Sequence, residues 1–197
     1  MLRWYPSLVG IAKRLATWDD LRAQPEGVRA EVLRGEIVTP PAPLPRHSSV
    51  QRKLARAIGG PFDDDDGAGG PGGWWILLDV DVRLSPHDIV RPDLAGWKRP
   101  RLPAPWDQQP IDTVPDWIAE ILSSDPSTDR VRKRRLYARA GVAHYWILDP
   151  VARTIEALEL DERGLWVERG VYDVESVTRI APFDAIELDV ARLFPPA

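Results

Sequence analysis

The sequence predicts a mixed α/β domain with a central β-sheet flanked by helices, and three observations carry that expectation. Segments with apolar residues at helical spacing intersperse along the chain with segments that alternate apolar and polar residues, so helices and strands are mixed rather than segregated. The 20 prolines and 14 glycines cut the strand-like runs into short lengths suited to hairpins. At 197 residues and 44% hydrophobic content the chain is expected to form one domain over 1–197, with a core at about 17–160 and a C-terminal hairpin strand and docking tail over 161–197.

Each element follows from local chemistry. Thr17 precedes Trp18-Asp19-Asp20-Leu21, a cap followed by acids at the positive end of a short helix that stops before Pro25. Residues 30–33 and 36–38 read as strands about the Arg34-Gly35 turn. The prolines between 40 and 45 make a connector barred from a sheet centre. Ser48 or Ser49 then caps a helix with Val50, Leu54, Ala57 and Ile58 on one face, ending at Gly59-Gly60. The four aspartates 63–66 and the glycine-rich stretch 67–73 form a solvated loop, since the alternating ligands and distal glutamate of a calcium loop are missing.

Residues 78–84 alternate strictly and predict a half-buried strand, with Asp79 and Asp81 on its solvent side. A turn at Pro86-His87-Asp88 leads to a second strand over 89–97, followed by a proline-broken loop over 98–115. A strand over 117–122, a helix over 128–140 closed by Gly141, and a strand over 144–148 come next. Residues 154–160 and 165–172 pair as a hairpin, and the apolar residues after Ala181 dock on the core. Of nine tryptophans, Trp117 and Trp146 fall in core strands, whereas Trp74 and Trp75 beside the glycine loop are expected to be exposed.

Composition excludes several functions. With 26 Lys and Arg against 30 Asp and Glu, the net charge is −4, so nucleic acid is not held by bulk charge and any contact needs a local patch. No cysteine is present, which excludes a disulfide scaffold, a thiolate metal site and a cysteine nucleophile, and fits a reducing cytosol. Three histidines leave little for zinc. No apolar run approaches the ~18 residues of a membrane span. The stretch 8–15, broken by Lys13 and Arg14, does not fit a secretory signal, so a cytoplasmic protein without membrane contact is expected. No Gly-x-Ser-x-Gly elbow, P-loop or His-Glu-x-x-His helix occurs.

Two residues break the pattern of their own elements. In Trp117-Ile118-Ala119-Glu120-Ile121-Leu122 side chains alternate, so Glu120 points with Ile118 and Leu122 from an otherwise apolar strand and requires a cation, metal or hydrogen-bond donor beside it. In the helix over 128–140, Lys133 shares an apolar stripe with Leu136, Tyr137 and Ala140, while Arg132, Arg135 and Arg139 face solvent. Lysine is rare here, with four against 22 arginines. Asp93 lies on the strand face of Ala95 and Trp97. Two strand carboxylates with a lysine from the next helix are what metal-assisted phosphodiester cleavage needs: oxygen ligands for a hard cation and an ammonium for developing charge.

At these residues the chain resembles the Uma-two group of endonucleases, part of the PD-(D/E)XK restriction-endonuclease-like superfamily. The resemblance rests on Pro92-Asp93, on residues 115–123, on 129–133, and on 137–142 with 145–150, and extends from about Thr17 to Leu160 through residues 31–38 and the helix start at His47. It implies a restriction-endonuclease-like mixed central β-sheet, with Asp93 and Glu120 as ligands of Mg2+ or Mn2+ and the Ile121 carbonyl as a third. Leu122 stands where the superfamily's E-x-K pattern has lysine; in the Uma-two group the lysine comes from the following helix, which corresponds to Lys133. The implied activity is endonucleolytic hydrolysis of nucleic acid, DNA foremost. The alternative is a catalytically silent version of the fold acting as a binding or structural homodimer.

Further candidates for substrate or supporting roles are Glu31, His47, and Arg130 and Arg134, the last two within a basic ridge completed by Arg132, Arg135 and Arg139.

Overall fold

The chain is described by a computed structural model over residues 14–64, 70–123 and 128–196. The expectations for 8–13 and for 65–69 of the acidic, glycine-rich loop fall outside these residues.

A short helix, α1 (Trp18–Arg22), follows the Thr17 cap, whose N–H and hydroxyl both bond Asp20. It leads into the hairpin β1 (Glu31–Leu33) and β2 (Glu36–Val38). The turn between them holds Arg34 at φ 54° and Gly35 at φ 75°, the left-handed pair that a tight hairpin demands. Helix α2 (Pro45–Phe62) starts earlier and ends later than expected. Pro45 suits the first helical position, where its missing N–H is no loss, so the serines lie inside the helix. Gly59-Gly60 does not stop it, because Ile58 and Phe62 continue the buried face beyond the glycines.

Three further expectations need correcting. The alternating run 78–84 is not one strand: β3 (Trp74–Leu78) ends where Asp79 turns to φ 52°, and β4 (Val82–Ser85) belongs to another sheet. The run 89–97 also divides, into β5 (Asp88–Val90) and β6 (Leu94–Lys98), because Pro92 has no N–H to donate to a ladder. Arg91-Pro92-Asp93 is thereby the crossing point between two sheets. Trp74 is buried against Phe183 rather than exposed, and Trp75 is half-buried with the Arg99 guanidinium 4.0 Å above its ring. Asp81, expected at the surface, is buried and gripped by both arms of Arg91 at 2.9 and 3.0 Å.

The remaining elements match their predicted positions within a residue or two. They are β7 (Trp117–Ile121), a π-helical turn (Thr128–Lys133) running into α3 (Arg134–Ala140), β8 (His144–Asp149), β9 (Thr154–Leu160) and β10 (Trp166–Tyr172). Gly141 closes α3 at φ 83°, with the N–H groups of Gly141 and Val142 returning to the last turn. The short strands β11 (Val177–Thr178) and β12 (Leu188–Asp189) pair in the tail.

The six-stranded sheet runs β10-β9-β8-β7-β6-β3, and β7 with β8 is its parallel pair. Parallel neighbours need a crossover, which the helical segment 128–140 supplies. A four-stranded antiparallel sheet, β2-β1-β5-β4, forms beside it. On one face of the large sheet, Val50, Leu54, Ile58 and Phe62 of α2 pack with Trp117, Trp146 and the tail residues Phe183, Val190 and Leu193, so the tail docks as expected. On the other face, Leu136 and Tyr137 of α3 pack with Trp97, Ile118 and Tyr145, together with Leu33, Val82 and Val90 from the small sheet. Each such large apolar side chain contributes roughly 1.5–3 kcal/mol by leaving water.

Candidate active site

Glu120 faces the second of these layers, sharing its side of β7 with Ile118, as alternation requires. Its neighbours Ala119 and Ile121 turn to the α2 layer. The carboxylate is buried, and Lys133 Nζ donates to its Oε1 at 2.9 Å while the Tyr137 hydroxyl donates to the same oxygen. Lys133 and Tyr137 are four apart on the helical segment, which is why both reach one point. The strand glutamate and the inward lysine inferred from the sequence are therefore direct partners.

Lys133 gathers two more acids. Glu31 on β1 brings Oε1 to 3.0 Å from its Nζ, and Asp129, four residues back on the π-helical turn, brings Oδ1 to 3.6 Å. Asp129 was not singled out by sequence reasoning. The signal was present, because residues at i and i+4 of one helix face lie together and Lys133 had already been assigned to the inner side. The π-helical turn that carries both residues is of a kind often found at functional sites. The Tyr145 hydroxyl donates to the Asp129 carbonyl at 3.2 Å and ties the turn to β8.

Asp93 occupies the crossing between the sheets, just before β6. Its Oδ2 accepts the Ile121 N–H at 2.7 Å, and His47 Nε2 from the first turn of α2 lies 3.2 Å from the same oxygen. His47 Nδ1 is buried without a partner among the described residues. Glu31 is fixed in turn by the Arg91 N–H at 2.6 Å. Asp93, Glu120, Ile121, Asp129, Lys133, Glu31 and His47 all line one pocket of about 150 Å3, walled on one side by the prolines of 40–43. Arg130 and Arg134 are turned elsewhere: both guanidiniums pair with Glu156 on β9, at 2.9 and 3.4 Å, on a separate groove.

The electrostatics are those of four carboxylates sharing few cations. Burial works against the charge on Lys133, but the attraction of Glu120, Glu31, Asp129 and Asp93 outweighs it and holds the ammonium well above its ordinary value. Burial, with Asp129, Asp93 and Glu31 nearby, pushes the Glu120 carboxyl well above the usual range against the pull of Lys133. Asp129 is pushed up to about 6, chiefly by burial. For His47, burial lowers the imidazole, yet the bond to and charge of Asp93 leave it raised overall.

A folded pKa above the unfolded one means that Asp129 binds its proton more tightly in the fold, so its contribution to stability falls as pH rises from about 4 to about 6. Asp129→Asn, free of that titration, is expected to gain thermal stability relative to wild type between pH 4 and pH 7, by about 1–3 kcal/mol. Parallel melting curves at the two pH values check it. A constant difference would show that Asp129 is not strained by its neighbours.

Hard oxygen donors with an excess of negative charge suit Mg2+ or Mn2+ by chemistry and charge. As the side chains stand, no three His, Asp or Glu among the described residues are arranged to hold a metal, and the Lys133 ammonium lies among Glu31, Glu120 and Asp129.

The central strand, the sheet junction and the crossover helix thus bring glutamate, aspartate and lysine to one pocket of a mixed-sheet fold. The Uma2 family model, described as "Putative restriction endonuclease", matches residues 16–191, and the chain belongs to that family. The fold is shared with a solved structure from Anabaena variabilis ATCC 29413, described as a putative nuclease belonging to DUF820. That likeness has a TM-score of 0.70 at 22% identity and covers 90% of this chain and 96% of the other. No curated protein matches the chain. Family membership supports a nuclease-like function. Among the described residues no helix is long and apolar enough to cross a membrane.

Proposed function

We propose that the protein is a divalent-metal-dependent endonuclease that hydrolyses phosphodiester bonds in DNA. The observation that carries this reading is the charge imbalance of the pocket: four carboxylates, Glu31, Asp93, Glu120 and Asp129, gather about Lys133 and His47, while the other cations of its wall, Arg29 and Arg91, pair with Asp79 and Asp81. Uncompensated buried carboxylates are costly, and a divalent cation supplies the missing charge. Asp93 and Glu120, with the Ile121 carbonyl, would hold Mg2+ or Mn2+, which when bound polarises the phosphate and lowers the pKa of its water.

The chain's own residues have separable tasks. His47 and the Ile121 N–H both engage Asp93 Oδ2 and so orient that carboxylate, leaving Oδ1 outside these bonds. Tyr137 fixes Glu120 from the helix side. Lys133 brings a permanent positive charge to where a phosphorane-like transition state gathers negative charge. Glu31 and Asp129 hold that ammonium in place. A cytosolic location accompanies this reading.

The test is calorimetric titration of Mn2+ into the protein beside a nicking assay on supercoiled plasmid. Saturable binding with Mn2+-dependent nicking is expected. Neither binding nor nicking would favour the catalytically silent homodimer, a reading in which Lys133 serves as the permanent counter-cation of the pocket.

A further inference from the structure

We propose that the arginine-lined groove on the outer side of the 128–140 helical segment binds the phosphodiester backbone of the substrate strand beside the acid pocket. The inference rests on the nuclease reading for the identity of its ligand, and on separate residues for its evidence. The groove encloses about 540 Å3 between that helix, the Arg34 turn of the β1–β2 hairpin, and the start of β10. Arg130 and Arg134 in its wall are paired with acids, both with Glu156 and Arg130 also with Asp149. Arg34, Arg135 and Arg139 are not: among the described residues no carboxylate pairs with their guanidiniums. Gathering three uncompensated cations on one groove of a chain with net charge −4 is repulsive, and an anion laid between them relieves it.

The backbone of Arg34 adds an independent observation. It sits in the left-handed region at φ 54°, where an unbranched glycine or an asparagine is more comfortable, and its N–H is tied to Asp88 Oδ1 at 2.7 Å. A strained arginine at a hairpin tip, opposite two unpaired arginines on a helix, points to a role for the side chain rather than for the turn. Exposed Val131 and Leu165, with half-buried Trp166, add apolar surface to the groove, against which the sugar faces of a nucleic-acid strand can pack.

The placement fits a continuous strand. The helix turns Asp129 and Lys133 into the acid pocket and Arg130, Val131, Arg135 and Arg139 into the groove, so the two recesses share one wall. From Lys133 to Arg139 the helix rises about 9 Å, the axial rise of two to three nucleotides. Phosphates bound there would set the register of the strand without reading its bases.

Anisotropy of a fluorescein-labelled 20-base-pair DNA duplex, and of RNA of the same sequence, tests this in metal-free buffer over a salt series. The variants are Arg135→Gln/Arg139→Gln, Arg34→Asn, and a control pair, Arg52→Gln/Arg56→Gln, which removes two exposed charges from α2. The double groove variant is expected to bind at least tenfold more weakly, with the salt slope reduced by about one per lost contact. Arg34→Asn is expected to bind about threefold more weakly while melting no lower than wild type, because asparagine suits the turn. Plasmid nicking should fall with binding. The stronger of the two probes identifies the polymer whose backbone the groove holds.

Groove variants that bind within twofold of wild type, or that lose no more than the α2 control, overturn the proposal. If wild type nicks plasmid while the groove variants bind unchanged, the cleavage reading stands and the groove is not its subsite. Loss of binding in the groove variants without nicking by wild type keeps the groove and removes the cleavage reading. Wild type that binds neither probe overturns the groove outright.

Discussion

Glu120→Gln is expected to lower plasmid nicking by on the order of 10³-fold or more while leaving the fold intact. Glutamine keeps the volume of the side chain and an acceptor for the Tyr137 hydroxyl, so packing between β7 and α3 is preserved. Lys133 keeps Glu31 at 3.0 Å and Asp129 at 3.6 Å, so its charge is not left bare. What disappears is an anionic oxygen that a hard cation would use. The measurement is nicking with a thermal melt of the same sample and an Mn2+ titration. Retained nicking within tenfold of wild type would remove Glu120 from the chemistry, and a collapsed melt would shift the comparison to Glu120→Asp.

Lys133→Met is expected to cost about 3–5 kcal/mol of stability at neutral pH. Lys133 is buried and is the ammonium nearest Glu31, Glu120 and Asp129; without it these acids face one another in a medium that screens poorly. The pH dependence has a definite sign. Lys133 has a folded pKa above its unfolded one, so its contribution is fully present at neutral pH and is lost only in strong alkali. The acids it leaves behind take up protons more readily in the fold, so the deficit of the variant should shrink on going from pH 7 to pH 5. Urea denaturation at both pH values reads this directly, and added Mn2+ should restore part of the loss by mass action. A variant as stable as wild type at pH 7 would show that the carboxylates are already protonated there.

Sequence reading reached the parts of the site that are local. Alternation in β7 placed Glu120, and helical spacing placed Lys133, because each argument needs only a handful of neighbouring residues. Asp129 needed the same reasoning carried four residues back. The partnership of Glu31 with Lys133 was beyond reach, since it depends on how the small sheet docks against the crossover helix, a contact between segments 102 residues apart. The boundaries that failed did so where tertiary packing overrode local signals. Gly59-Gly60 continued a helix because Phe62 had a core to join, and the run 78–84 broke at Asp79 although its alternation favoured one strand. The division at Pro92 was legible from proline chemistry alone, and it is the one that places Asp93 between the sheets.

The crossing at Arg91-Pro92-Asp93 also fixes when the pocket can exist. Glu31 emerges early in synthesis on a hairpin, Asp93 follows at the crossing between the sheets and Glu120 on β7, and Lys133 arrives last on the segment that links β7 to β8. Until β8 pairs beside β7 the crossover has nothing to close onto, and Asp129 and Lys133 are not yet beside the acids of β1, β7 and the sheet crossing. A growing chain on the ribosome therefore passes through most of its length without a complete acid cluster, and the cluster first assembles when the parallel pair forms.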